Sequence, residues 1–123
     1  MSGLSMNEPK NSPADLEQQQ RLLEHLRGIR HVVINTRYGG FGLSDLAVAK
    51  YKLLSGVEDT LDWSMYDIAR DDPYLVSVVR ELGEDANGLF ANLKIVEVPA
   101  NVDWYVDEYD GREWVAEKHR TWS

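Results

Sequence analysis

The segment from Lys94 to His119, KIVEVPANVDWYVDEYDGREWVAEKH, holds three short runs rich in Val, Ile, Trp and Tyr. These residue types suit a pleated, half-buried surface. Pro99-Ala100-Asn101 separates the first run from the second, and Asp110-Gly111 separates the second from the third. Asp-Gly between two such runs is a hairpin signal. Two registers compete. A two-residue loop places Glu108 opposite Glu113, and like charges directly opposite each other are unfavourable. A three-residue loop, Tyr109-Asp110-Gly111 with Gly111 left-handed, places Glu108 opposite Arg112, Val106 opposite Trp114 and Trp104 opposite Ala116. This second register is expected, with one apolar and one mainly polar face. A slip of one residue reverses which face is buried.

Upstream, His31-Val32-Val33-Ile34-Asn35-Thr36 reads as a strand. Its continuous apolar run implies burial on both faces and a central position. Ser44 caps a helix over 45–54, with Leu46, Ala49, Leu53 and Leu54 on one face and Gly56 after it. Residues 57–71 are irregular, and Trp63, Met65, Tyr66 and Ile68 are expected to lie over the core. Asp72-Pro73 combines a cap with a first-turn proline and opens a helix whose broad apolar face is Leu75, Val76, Val78, Val79 and Leu82, ending at Gly83 or continuing to Gly88. Ser12-Pro13 opens a further helix, over 12–28, bearing a narrow stripe of Leu16, Gln19, Leu23 and Leu26 with Leu22 beside it. That helix is expected to pack on the domain or on a second copy of the chain. Residues 1–11 are expected to be a disordered tail. The element order predicts an α+β fold: one small domain over 29–123, a mainly antiparallel sheet of about four strands, helices on one face and the extra N-terminal helix.

A chain of 123 residues supports one core. The net charge of -8 argues against general binding to nucleic-acid backbones or to anionic lipid. With no Cys, disulfides, thiol catalysis and thiolate metal sites are excluded. No apolar run approaches the roughly 18 residues of a membrane span. The leading MSGLSMNEPKNSP lacks the apolar core of a signal peptide, so a cytoplasmic location is expected.

Tyr38-Gly39-Gly40-Phe41-Gly42-Leu43-Ser44 lies between a strand and a helix start, with Arg37 before it. Two readings stand: a turn needing positive φ, or a loop that contacts an anion at the helix N-terminus. It is neither a P-loop nor a dinucleotide fingerprint. Asp71, Asp72, Glu81, Glu84 and Asp85 lack the spacing of a calcium loop, so no metal is expected. His25, His31 and His119 lack the spacing of a zinc site, and no nucleophile–base pair is visible, so no catalytic residue is assigned. Arg112, Trp114, His119, Arg120 and Trp122 gather cations and aromatic planes. That composition suits a nucleobase-and-phosphate ligand or a protein interface, and it also suits a core Trp with rim cations. Phe90 is either core or a stacking plate at a pocket mouth.

The stretches VVINTRYGGFGLS (32–44), ARDDPYLVSVVRELGEDANGLFANLKIVEVP (69–99) and WYVDEYDGREWVAEKHRTW (104–122) resemble a family of small proteins of tailed phages. The chain departs from it in an N-terminal extension, roughly residues 1–30, and in a short altered segment between the two central helices. That family is in turn similar to the anti-Thoeris sponges, phage proteins that sequester cyclic ADP-ribose isomers. The resemblance implies a non-enzymatic, cofactor-free homo-oligomer in the host cytoplasm that holds a cyclic ADP-ribose or cyclic oligonucleotide signal at a subunit interface. Together the residues and the resemblance single out Arg37, Tyr38, Gly39, Gly40, Phe41, Arg70, Phe90, Asn92, Arg112 and Arg120 as ligand contacts. The alternative is a protein-interaction module acting on a host or virion protein.

Overall fold

A computed structural model describes residues 13–58 and 63–118, with side chains from Gln18 onward. The expected tail over 1–11, Ser12, His119, Arg120 and Trp122 lie outside the described residues. The fold is α+β. Helix α1 (Pro13–Arg27) leads into strand β1 (Ile29–Asn35), and helix α2 (Asp45–Ser55) and helix α3 (Pro73–Leu82) follow. Strands β2 (Leu93–Pro99), β3 (Trp104–Tyr109) and β4 (Arg112–Glu117) close the chain. Among the described residues no helix is long and apolar enough to cross a membrane.

The strands form two antiparallel pairs, β1 with β2 and β3 with β4. The β1–β2 pair is the middle layer. On one face Val33 and Ile95 meet α2 and α3 through Ala47, Tyr51, Leu75, Val78 and Val79. On the other face Val32, Ile34 and Val98 meet Trp104, Val106 and Val115 of the β3–β4 hairpin. β1 is therefore buried on both faces, as its apolar run requires. It is not central in a ladder, because among the described residues β2 is its only strand neighbour.

The caps fall where the sequence puts them. Ser44 accepts from the Ala47 amide, and Gly56 ends α2 at φ 72°. Asp72 accepts from the Tyr74 and Leu75 amides at 2.8 and 3.2 Å. The inward face of α2 differs from expectation. Ala47 and Tyr51 are buried, whereas Leu46 and Leu53 are exposed. The reason is Tyr51, whose hydroxyl donates to the other oxygen of Asp72 at 2.8 Å while its ring meets Trp63 and Tyr74. Trp63, Met65 and Ile68 lie over the core as expected; Tyr66 points outward. On α1 the leucines Leu22, Leu23 and Leu26 are exposed, and among its described side chains Glu24 is the buried one.

The hairpin adopts the two-residue loop, which corrects the expected register. Tyr109 pairs with Arg112, Glu108 with Glu113 and Val106 with Val115. Asp110 and Gly111 both have positive φ, at 51° and 88°, as a type I′ turn requires. The like-charge penalty is removed by a third residue. Glu113 turns inward onto the Arg70 guanidinium, with its Oε2 at 2.8 Å from Nη2, while Glu108 stays in solvent and accepts from the Gly111 amide. The one-residue slip points Arg112 and Trp114 outward and carries Val115 into the core.

Burial and the nearby Asp72 carboxylate both push the Tyr51 phenol well above its ordinary value. A raised pKa means the neutral phenol is favoured in the folded state. Its stabilisation is intact below about pH 10, the unfolded value, and is lost as pH rises beyond it. Urea unfolding at stepped pH should therefore show stability falling above about pH 10, with a shallower fall in Tyr51→Phe.

Candidate functional site

Three backbone segments meet at the Asn35 end of β1. They are the 38–43 loop, the 87–92 loop and the Asp110–Gly111 turn. Asn35 is fully buried, and its side chain joins them. Its Nδ2 donates to the Arg37 and Gly111 carbonyls, both at 2.7 Å. Its Oδ1 accepts from the Arg37 and Asn92 amides at 3.3 and 2.9 Å. Both donors and both acceptor positions of the amide are thus used. The Asn35 main-chain N–H donates to Glu113 Oε1 at 2.8 Å.

The glycines answer to close approach. A Cβ on Gly111 would lie 2.3 Å from the Gly40 nitrogen, and one on Gly39 would lie 3.0 Å from Phe90 Cβ. Gly39 and Gly40 also have φ of 118° and 102°, which side-chain-bearing residues avoid. The loop is stitched down by Gly39 N–H to the Asp110 carbonyl at 3.2 Å and Gly88 N–H to the Gly42 carbonyl at 2.9 Å. Ser44 N–H bonds the Ala86 carbonyl at 2.9 Å. These amides face protein and not a ligand, so the turn reading accounts for them.

The singled-out residues divide into frame and rim. Phe41 is buried, with the Arg70 guanidinium 3.7 Å from its ring centre. Arg70 also donates to the Val33 carbonyl and grips Glu113 with both terminal nitrogens. Both residues hold the structure together through these contacts. Asn92 contributes its backbone: its carbonyl accepts from the Thr36 amide at 2.8 Å and the Thr36 hydroxyl at 3.0 Å. The rim comprises Tyr38, 55% exposed, Phe90, 60% exposed, and the exposed Arg37 and Arg112. Phe90 is therefore a surface plate and not core. Leu89 and Tyr109 extend the same rim.

Arg112 reaches this end because the type I′ turn that presents it rests on Gly39 and Gly40. The glycine loop thus touches the turn that precedes Arg112, and Arg120 lies outside the described residues. Sequence reading missed Asn35 and Glu113 as organisers. A polar residue ending an apolar run was the available signal for Asn35; Glu113 gave none beyond an unfavourable pairing.

Replacing Asn35 with Ala strands the Arg37 and Gly111 carbonyls and the Asn92 amide. Asn35→Ala should lower stability by about 3 kcal/mol in denaturant unfolding, against a change within about 0.5 kcal/mol for Arg37→Ala. Arg70→Ala leaves the Glu113 carboxylate buried and unpaired and should cost about 3–5 kcal/mol by the same measurement.

No protein-family model matches the sequence, and comparison with curated proteins and with solved structures returns no match either.

Proposed function

We propose that this protein binds a small phosphate-bearing nucleotide at the rim of the Asn35-centred loop cluster and sequesters it without chemistry. The observation that supports this most directly is that the backbones of Arg37, Asn92 and Gly111 are joined through Asn35, and that the exposed side chains of Arg37, Tyr38, Phe90 and Arg112 belong to the segments so joined. Exposed aromatic planes suit the base, and exposed guanidinium groups suit the phosphates. Neither Arg37 nor Arg112 is tied into an ion pair within the described residues, although acidic side chains outnumber basic ones 21 to 13. The resemblance to the anti-Thoeris sponges narrows the ligand to a cyclic ADP-ribose isomer or a cyclic oligonucleotide. It also adds a homo-oligomeric state in the host cytoplasm.

A second reading, a module that docks on a host or virion protein, is favoured by Leu89, 84% exposed, and Tyr109, 72% exposed. A nucleotide has little use for Leu89, whereas aromatic and Arg anchors among apolar contacts are typical of protein interfaces.

Calorimetric titration and thermal melting with cyclic ADP-ribose isomers and cyclic dinucleotides separate these readings. The nucleotide reading expects saturable binding and a melting temperature that rises with ligand concentration. It also expects ligand recovered intact after denaturation. Arg112→Ala and Phe90→Ala should each weaken binding at least about tenfold while leaving the apo melting temperature near wild type. Absence of binding to any of these nucleotides overturns the proposal. A stable complex with a host protein that tolerates Arg112→Ala would instead favour the second reading.

A further inference from the structure

The two edges of the β1–β2 pair are treated differently. On the outer edge of β1 the N–H groups of His31, Val33 and Asn35 are each taken, by Glu24 Oε2, the Arg70 carbonyl and Glu113 Oε1. The Val33 carbonyl on that edge takes the Arg70 guanidinium. These bonds show that odd-numbered residues of β1 face away from β2. By the register, Val33 opposite Ile95 and His31 opposite Glu97, the odd-numbered residues of β2 face away from β1.

Along that outer edge of β2 the Leu93 amide is taken by Asn87 Oδ1 at 2.8 Å, and Pro99 has no N–H. The Pro99 carbonyl accepts from Val102. Between these stops lie the N–H and C=O groups of Ile95 and Glu97, with no hydrogen-bond partner among the described residues. An open strand edge is a template for another strand. Beside it runs a groove of about 240 Å³ whose walls include Val96, Val98, Trp104 and Val115.

We infer that β2 is a self-pairing edge: two copies of the chain join antiparallel through their β2 strands, about a two-fold axis passing beside Val96. In this register Ile95 and the partner's Glu97 exchange both backbone hydrogen bonds, and the symmetric pair does the same. All four open groups on each copy are then used. Shifting the axis to Glu97 sets the two Glu97 carboxylates directly opposite, which is unfavourable. Shifting it to Ile95 aims the Glu97 carbonyl at a Leu93 amide already held by Asn87. The Val96 register opposes Glu97 with Ile95 and Lys94 with Val98, so no like charges face each other. It brings the two Val96 side chains together next to the groove and makes one four-stranded sheet. A second copy fits better than an unrelated peptide because the open groups, the stops and the charges complement themselves under one rotation.

This inference deepens the oligomeric part of the proposed function and is independent of its ligand. A dimer that binds no nucleotide, or a monomer that binds one, distinguishes the failure of one from the failure of the other.

The chain has no cysteine, so a single introduced thiol reports one position. Directly opposed, non-hydrogen-bonded residues of an antiparallel pair have Cα atoms about 4.5 Å apart, within disulfide range. Val96→Cys should give a covalent dimer under mild oxidation. Lys94→Cys should not, since the two Lys94 positions lie about 13 Å apart along the strands. Glu97→Pro removes an outward N–H without touching the β1 ladder and should shift sedimentation from dimer to monomer, whereas Glu97→Ala should remain dimeric. Circular dichroism checks that each variant is folded. A wild-type chain that stays monomeric up to about 100 µM overturns the inference, since even weak interfaces are populated there. So does equal cross-linking of both cysteine variants, or a dimer that survives folded Glu97→Pro.

Discussion

A strand buried on both faces with a strand neighbour on only one side must find acceptors for its remaining amides, because a buried N–H without a partner costs as much as a lost hydrogen bond. β1 is such a strand. His31, Val33 and Asn35 turn their N–H groups away from β2, and each meets an acceptor from a different part of the chain. Glu24 comes from α1, the Arg70 carbonyl from the segment before α3, and Glu113 from β4. Those three bonds attach three elements to one strand. They explain why α1 buries a glutamate while Leu22, Leu23 and Leu26 face outward, and why the irregular segment before α3 runs along the β1 edge.

The arrangement brings carboxylates into the interior, where an unpaired charge is costly. Glu113 is compensated by the two-pronged grip of Arg70, and Arg70 by the face of Phe41 and the Val33 carbonyl. Glu24 lies against the amide and ring of His31, whose other nitrogen is 3.6 Å from Glu97. The Arg70–Glu113 pair also selects the hairpin register. A carboxylate neutralised from outside the hairpin no longer repels the Glu108 across from it. The pairing that looks poor within the hairpin is then the one that carries Val115 to the core and Glu113 to its partner.

Features fixed by neighbours in sequence were legible. The Ser44 and Asp72 caps, the Gly56 stop, the Asp110-Gly111 turn and the α+β class follow from local chemistry, and the structure shows each of them. Features fixed by distant partners were not. The hairpin register depends on Arg70, 43 residues from Glu113. The inward face of α2 depends on Tyr51 reaching Asp72, 21 residues away. In the candidate site, the glycines announced backbone freedom without saying what it served. The structure answers with Gly111 seated on Gly39 and Gly40. Arg70 and Phe41 were both expected as ligand contacts. The structure stacks them on each other.

The division between frame and rim bears on recognition. Loop residues that are ordered only on binding charge their conformational entropy against affinity. Here Asn35 holds the Arg37, Asn92 and Gly111 backbones through one amide, so the bases of the rim side chains are ordered in advance. Gly39, Gly40 and Gly111 leave no side chain between loop and turn, and that contact is backbone against backbone. Under the proposed function, a nucleotide would therefore lie above the loop, on the side of Tyr38, Phe90 and the two exposed arginines. Of these side chains none supplies a hydrogen bond to the Asn35 network, which uses only the backbone of Arg37. Substitution at the rim can then leave the fold intact, whereas substitution at Asn35, Arg70 or Glu113 loosens the frame, so the proposed binding can be separated from stability.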